Sequence, residues 1–108
     1  MNSVTLVGNL GDAPKVGDSN GVSWARFSLA TTERFKDRDG QPSERTDWHQ
    51  VYTFGPLAKT LAVLAKGAKV AVHGKLRKNS WERDGETQTV VEVQATEVEF
   101  LRRGRERE

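Results

Sequence analysis

Alternating apolar and polar positions recur along most of the chain and predict strands. Residues 4–10 alternate apolar side chains with Thr5 and end at Gly8, Asn9, Leu10 and Gly11, where glycine permits a bulge or a turn. Residues 24–32 alternate again, with Ala25, Phe27 and Leu29 on one side and Trp24, Arg26 and Ser28 on the other. A third strand, over 46–54, reads TDWHQVYTF and puts Trp48, Gln50, Tyr52 and Phe54 on one face and His49, Val51 and Thr53 on the other. Residues 33–45 between the second and third strands are polar. They contain Asp39 and Gly40, a pair that tolerates positive φ, so the two strands form a long hairpin with Phe35 in its loop.

The period changes over 56–66. Proline opens the segment, Leu57, Leu61 and Leu64 fall on one helical face, and Gly67 can close the end, which predicts the chain's one helix. Residues 69–76 and 90–101 read as strands four and five, joined by a hairpin with Asp84 and Gly85 at its tip and Trp81 on one arm. Three strands, a helix and two strands match an all-β, five-stranded Greek-key barrel of the OB-fold type, with the helix between strands 3 and 4. The open face and hairpin loops of that fold bind oligonucleotides.

The third strand is the most telling, because one of its faces is an aromatic ladder. Periodicity alone allows that face to be the core. Phe27, Leu29, Leu57, Leu61, Leu64, Val70, Val72, Val91 and Val93 already supply one, however, which leaves the ladder partly surplus. Aromatic rings beside basic segments suit the stacking of unpaired bases, at about 1 to 3 kcal/mol per base. Phe35, among Arg34, Lys36 and Arg38, is either a loop anchor packed on the barrel or another stacking residue.

A length of 108 residues allows one domain, here 1–101, followed by a short basic tail at 102–108 expected to be disordered. The absence of cysteine excludes a disulfide framework and a thiolate zinc site, and it suits a reducing cytoplasm. No apolar run approaches the length of a membrane span, and no signal-peptide pattern opens the chain. Net charge is only +2, but Lys69, Lys75, Arg77, Lys78 and Arg83 are opposed locally by only Glu82 and Asp84. Such runs are often mere solvated surface; the interleaved aromatics are what give this one meaning.

Catalytic readings find little support. Asp37, Asp39, Glu44 and Asp47 lie in a hairpin rich in Arg and Lys, and His49 and His73 lack metal-ligand spacing. Gly74 and Lys75 look like the end of a phosphate loop, but Lys69 stands where that motif needs its first glycine. No catalytic group, metal site or cofactor is expected.

Four segments, MNSVTLVGNLGDAPKV, FSLATTERFKD, TDWHQVYTFG with its helix, and VAVHGKLRKNSW, together resemble the bacterial single-stranded DNA-binding proteins in order and spacing. The resemblance covers nearly all of 1–101. It implies sequence-tolerant binding and protection of single-stranded DNA during replication, repair or recombination, in the cytoplasm and associated with the nucleoid. It also implies base stacking on Phe35, Trp48, Phe54 and Trp81, and phosphate contacts from Arg34, Lys36, Lys75, Arg77 and Lys78. Members of the family form homotetramers in which first strands pair between subunits, which places Val4, Leu6 and His49 at subunit interfaces. A bare edge strand calls for a partner in any case.

Relatives continue into a linker rich in Gly, Gln and Pro and an acidic tip that recruits replication and repair proteins. This sequence ends in Arg-Glu-Arg-Glu, so the resemblance does not extend to recruitment of that kind. The roles of Trp24 and Tyr52 stay open. So do two other classes of function, an OB-fold adaptor like the primosomal replication protein N family and a metal-dependent nuclease.

Overall fold

The computed structural model describes residues 1–103. Its elements are β1 (Val4–Leu10), β2 (Lys15–Ser19), β3 (Val22–Lys36), β4 (Pro42–Phe54), α1 (Pro56–Leu61), β5 (Lys69–Arg83) and β6 (Glu86–Arg102). The strands lie in the order β1-β5-β6-β4-β3-β2, and β1 turns back to pair with β3 at Asn9↔Ala30 and Leu10↔Leu29. That pairing closes β1, β3, β4, β5 and β6 into the expected five-stranded barrel, with α1 between β4 and β5. Of the tail placed at 102–108, Arg102 ends β6 opposite Lys69 and Arg103 follows it; the rest lies outside the described residues.

β2 is an addition to the sequence reading. It pairs with β3 from Lys15↔Arg26 to Ser19↔Val22 across a two-residue turn in which Asn20 and Gly21 both have positive φ, at 52° and 82°. Asn-Gly favours that conformation and matches the twist of the flanking strands.

α1 is shorter than the periodicity of 56–66 predicts. Gly55, at φ 78°, turns the chain out of β4, donates its N–H to the Ser23 carbonyl at 2.8 Å and hands over to Pro56 in the first turn. After Leu61 the helix gives way to turns, because tertiary partners compete for the backbone. The Gly67 N–H donates to the Leu10 carbonyl and the Leu10 N–H to the Ala68 carbonyl, both at 2.9 Å. Leu64 and Ala68 reach the core by this path, and Val63 is left exposed.

The core is lined by the inward rows of the barrel strands: Leu10 from β1, Ala25, Phe27 and Leu29 from β3, Val51 from β4, Val70 and Val72 from β5, and Val93 and Ala95 from β6. Ala58, Leu61 and Leu64 plug one end, with Leu57 half-buried against them. Val91, expected in the core, is exposed. It shares the parity of Val93, but its partner is Lys78, past the point where the barrel covers that face.

Two hairpin arms extend beyond the barrel. β3 and β4 stay paired as far as Lys36↔Pro42, so most of the segment expected to be loop is strand and Phe35 sits within β3. Only 37–41 forms the turn, where Asp37 Oδ1 accepts the N–H groups of Asp39 and Gln41 at 2.9 and 2.8 Å. The second arm pairs β5 with β6 out to Arg83↔Glu86, and Asp84 and Gly85 make its tip with φ of 54° and 81°, as the sequence predicts.

Candidate nucleic-acid interface

Side chains alternate across a strand, and residues in register share a face. The register therefore places Trp24, Arg26, Ser28, Arg34 and Lys36 of β3 on one face with Phe54, Tyr52, Gln50 and Trp48 of β4. The pair Tyr52↔Gln94 carries that face across to β6, and β5 continues it with Lys75 opposite Gln94, Arg77 opposite Glu92 and Trp81 opposite Gln88. This is the outer face of the barrel: Val51 and Thr53, on the opposite side of β4, are buried.

Three large aromatics stand out from it. Trp48 is 58% exposed, Phe54 52% and Trp81 49%, so the ladder in β4 is a surface feature and not the core. Trp48 has its ring against the backbone of Gly11, where an added Cβ would lie 2.6 Å from the indole. Glycine at position 11 thus lets the indole approach the main chain closely. Trp24 packs over Gly17 in the same way and is half-buried.

Tyr52 behaves differently from its neighbours, at 7% exposure. The Arg26 guanidinium carbon sits 5.1 Å from the centre of its ring, and Phe54 meets it edge-on with centroids 5.6 Å apart. Arg26 is in turn held by Glu92, whose Oε2 accepts from Nη1, while Asn79 Nδ2 donates to Glu92 Oε1 at 2.6 Å. Glu92 is 6% exposed. A buried carboxylate needs such donors. The sequence signal was present, a lone acid inside the run Val90-Val91-Glu92-Val93, but its partners come from β3 and β5 and only the register joins them.

The cations nominated for phosphate divide. Arg34, Lys36, Lys75 and Arg77 belong to the aromatic face. Arg34 Nε also donates to Glu44 across the arm at 3.2 Å, an exposed pair that leaves the guanidinium accessible. Lys78 is opposite Val91, and Phe35 opposite Ser43, on the other face of their arms. The structure therefore gathers Trp48, Phe54, Trp81 and four cations on one face and sets Phe35 and Lys78 apart from them.

At the other side of the barrel, β1 hydrogen-bonds β5 from Val4↔Gly74 to Asn9↔Lys69, whereas its second edge meets β3 only at Asn9 and Leu10. Val4 and Leu6 point inward against the core, and Thr5 and Val7 outward. His49 is half-buried at the barrel rim, with Nε2 2.9 Å from Thr31 Oγ1. Among the described residues, no three His, Cys, Asp or Glu side chains gather as a metal site would need, and no helix is long and apolar enough to cross a membrane.

The chain is similar to known proteins over almost its whole length. It is 36% identical over 105 residues to "Single-stranded DNA-binding protein 1" of Chlorobaculum tepidum, covering 94% of this chain and 65% of that protein. It is 41% identical over 104 residues to the single-stranded DNA-binding protein of Xanthomonas axonopodis pv. citri, covering 94% and 58%. The chain thus spans about three fifths of the length of these two relatives. Among solved structures, the Plasmodium falciparum SSB in complex with ssDNA superposes with a TM-score of 0.84 at 28% identity, covering 94% of this chain and 95% of that one. A deletion mutant of the single-stranded DNA binding protein from Thermus aquaticus gives 0.83 at 32% identity, covering 94% and 50%. The profile of the single-strand binding protein family matches residues 1–101, and the chain belongs to that family.

Proposed function

We propose that this chain binds single-stranded DNA without marked dependence on sequence and protects it during replication, repair or recombination. The carrying observation is the half-exposed set Trp48, Phe54 and Trp81 on one sheet face, interleaved with Arg34, Lys36, Lys75 and Arg77. Each ring offers a base-sized face, and the cations replace counterions condensed on the phosphates. Duplex bases are already stacked and present no free faces. Bases are held and released with no bond made or broken, so the activity is binding and not catalysis. Residues 1–101 form the binding domain in this reading, working in the cytoplasm at the nucleoid. Phe35 and Lys78 would join only a strand that wraps around an arm to its far face.

Titration with oligo(dT) tests the reading, because a stacked base quenches indole emission. Strong quenching by oligo(dT), with little from duplex of equal length, is the expected result. A flat response at low salt from folded protein would overturn it and favour an OB-fold adaptor.

The same reading includes self-assembly into a homotetramer. The open edge of β1 between Val4 and Gly8 suits antiparallel pairing with a second copy, with Thr5 and Val7 flanking the seam. Sedimentation should return a tetramer at micromolar protein, and His49→Lys should move the population toward smaller species. A monomer at that concentration would rule assembly out.

A further inference from the structure

Arg26 does not fit the role of a phosphate contact. Its charge is already matched by the buried carboxylate of Glu92, so the pair adds little net charge to the face. The side chain is nevertheless 51% exposed. Among the described residues, the contact with Glu92 is the one hydrogen bond its guanidinium makes. The guanidinium is held between the Tyr52 ring, 5.1 Å from its carbon, and the Glu92 carboxylate. A rigid, neutralised guanidinium with donors to spare reads hydrogen-bond acceptors on a base edge better than it attracts phosphate.

Arg26 lines a cavity of about 440 Å³ whose other walls include Trp48, Gly11, Asp12, Lys15 and Gln50. Trp48 closes one side with its ring. Asp12 is an exposed carboxylate; its Oδ1 accepts the Ala13 N–H at 2.8 Å, and no hydrogen bond engages Oδ2 among the described residues. Asp12 offers acceptor oxygens to a ligand that carries N–H donors, and Lys15 on the same wall balances its charge.

We infer that this cavity is a guanine subsite, in which a base stacked on Trp48 offers O6 and N7 to Arg26 and its N1–H and N2–H groups to Asp12. Guanine is the base that presents an acceptor pair on one edge and a donor pair on another. Adenine puts a donor beside N7, thymine offers no paired acceptors there, and cytosine has a single exocyclic donor. The subsite rests on the single-stranded DNA reading and adds to it a preference at one nucleotide position within otherwise tolerant binding.

The test compares short oligo(dT) strands bearing one central dT, dG, 7-deaza-dG, inosine or dC, by tryptophan quenching at fixed salt. One dG should tighten binding about tenfold, the lower part of the range for a bidentate base contact. 7-Deaza-dG, which lacks N7, and inosine, which lacks the N2 amine, should each lose most of that gain. Arg26→Lys retains a cation for Glu92 but not the fork, and it should abolish the dG preference while oligo(dT) still binds. Asp12→Asn should erase the difference between dG and inosine. Equal affinity for dT and dG, a dC preference, or full retention of the gain with 7-deaza-dG overturns the subsite. So does an Arg26→Lys protein that weakens every strand alike with a shallower salt dependence, because Arg26 would then be a phosphate contact. These outcomes leave oligo(dT) quenching intact, whereas its complete absence removes the wider reading and this one together.

Discussion

The two faces of β4 are built from the same nine-residue stretch, 46–54, yet answer to different solvents. Inward, Val51 meets Phe27 and Val93 in register, and Thr53 satisfies its hydroxyl on the Ala95 carbonyl at 2.9 Å, so small side chains fill a closed space with no polar atom stranded. Outward, Trp48 and Phe54 leave half their surface in water, and Tyr52 is covered by a guanidinium instead of by aliphatic carbon. The larger apolar groups are thus on the wet side. In a barrel this narrow the interior limits side-chain volume, which leaves the large rings on the outer face.

Substitutions on each face sharpen that contrast. The largest effect is expected inside: Leu29→Ala removes a fully buried side chain opposite His49 and should lower stability by about 2 to 5 kcal/mol in a denaturant titration. Its effect on DNA affinity, measured where the variant is still folded, should be minor. Outside, Trp48→Ala and Trp81→Ala should each weaken oligo(dT) binding by about 1 to 3 kcal/mol with the melting temperature nearly unchanged. A melting temperature that collapsed with either one would assign that ring to the core. The smallest effect separates the two faces of the β5–β6 arm. Arg77→Ala should reduce the salt dependence of binding by about 0.7 in log–log slope, and Lys78→Ala by clearly less. Equal losses at 77 and 78 would mean that the strand touches both faces of the arm.

How far the sequence foretold this arrangement varies along the chain. β1 is legible at its observed bounds because both of its ends are marked, by an apolar start and by glycine at the close. The Asp84-Gly85 tip was legible because the turn chemistry is local. The arms were not. Past the barrel neither face is buried, so alternation fades in 33–45 although the backbone pairing continues, and strand reads as polar loop. β2 escaped for a similar reason: Lys15–Ser19 is largely exposed on both faces, and the Asn20-Gly21 pair was its one sign. The helix was overread because Leu64 keeps helical spacing, yet its burial is reached by a turn that bonds to β1.

Within the candidate site, the rings could be picked out singly, since bulk and aromaticity belong to the residue. Their sides could not, because Phe35 and Lys78 differ from Trp48 and Arg77 only in parity along a strand whose register the sequence does not state. The cluster of Arg26, Asn79 and Glu92 was harder still. It is assembled from three strands, with Arg26 and Glu92 66 positions apart, and no local pattern joins them.

The indole of Trp48, set close against the main chain of Gly11, has a kinetic meaning as well. A ring already resting on a fixed support has little rotamer freedom left to lose when a base arrives, so the ordering cost of recognition is met in the unliganded protein. It also has one free side. A base slides on or off that side without the ring having to swing aside, which makes the contact a shelf instead of a clamp. Under the DNA binding proposed above, such a contact favours rapid exchange of the bound strand.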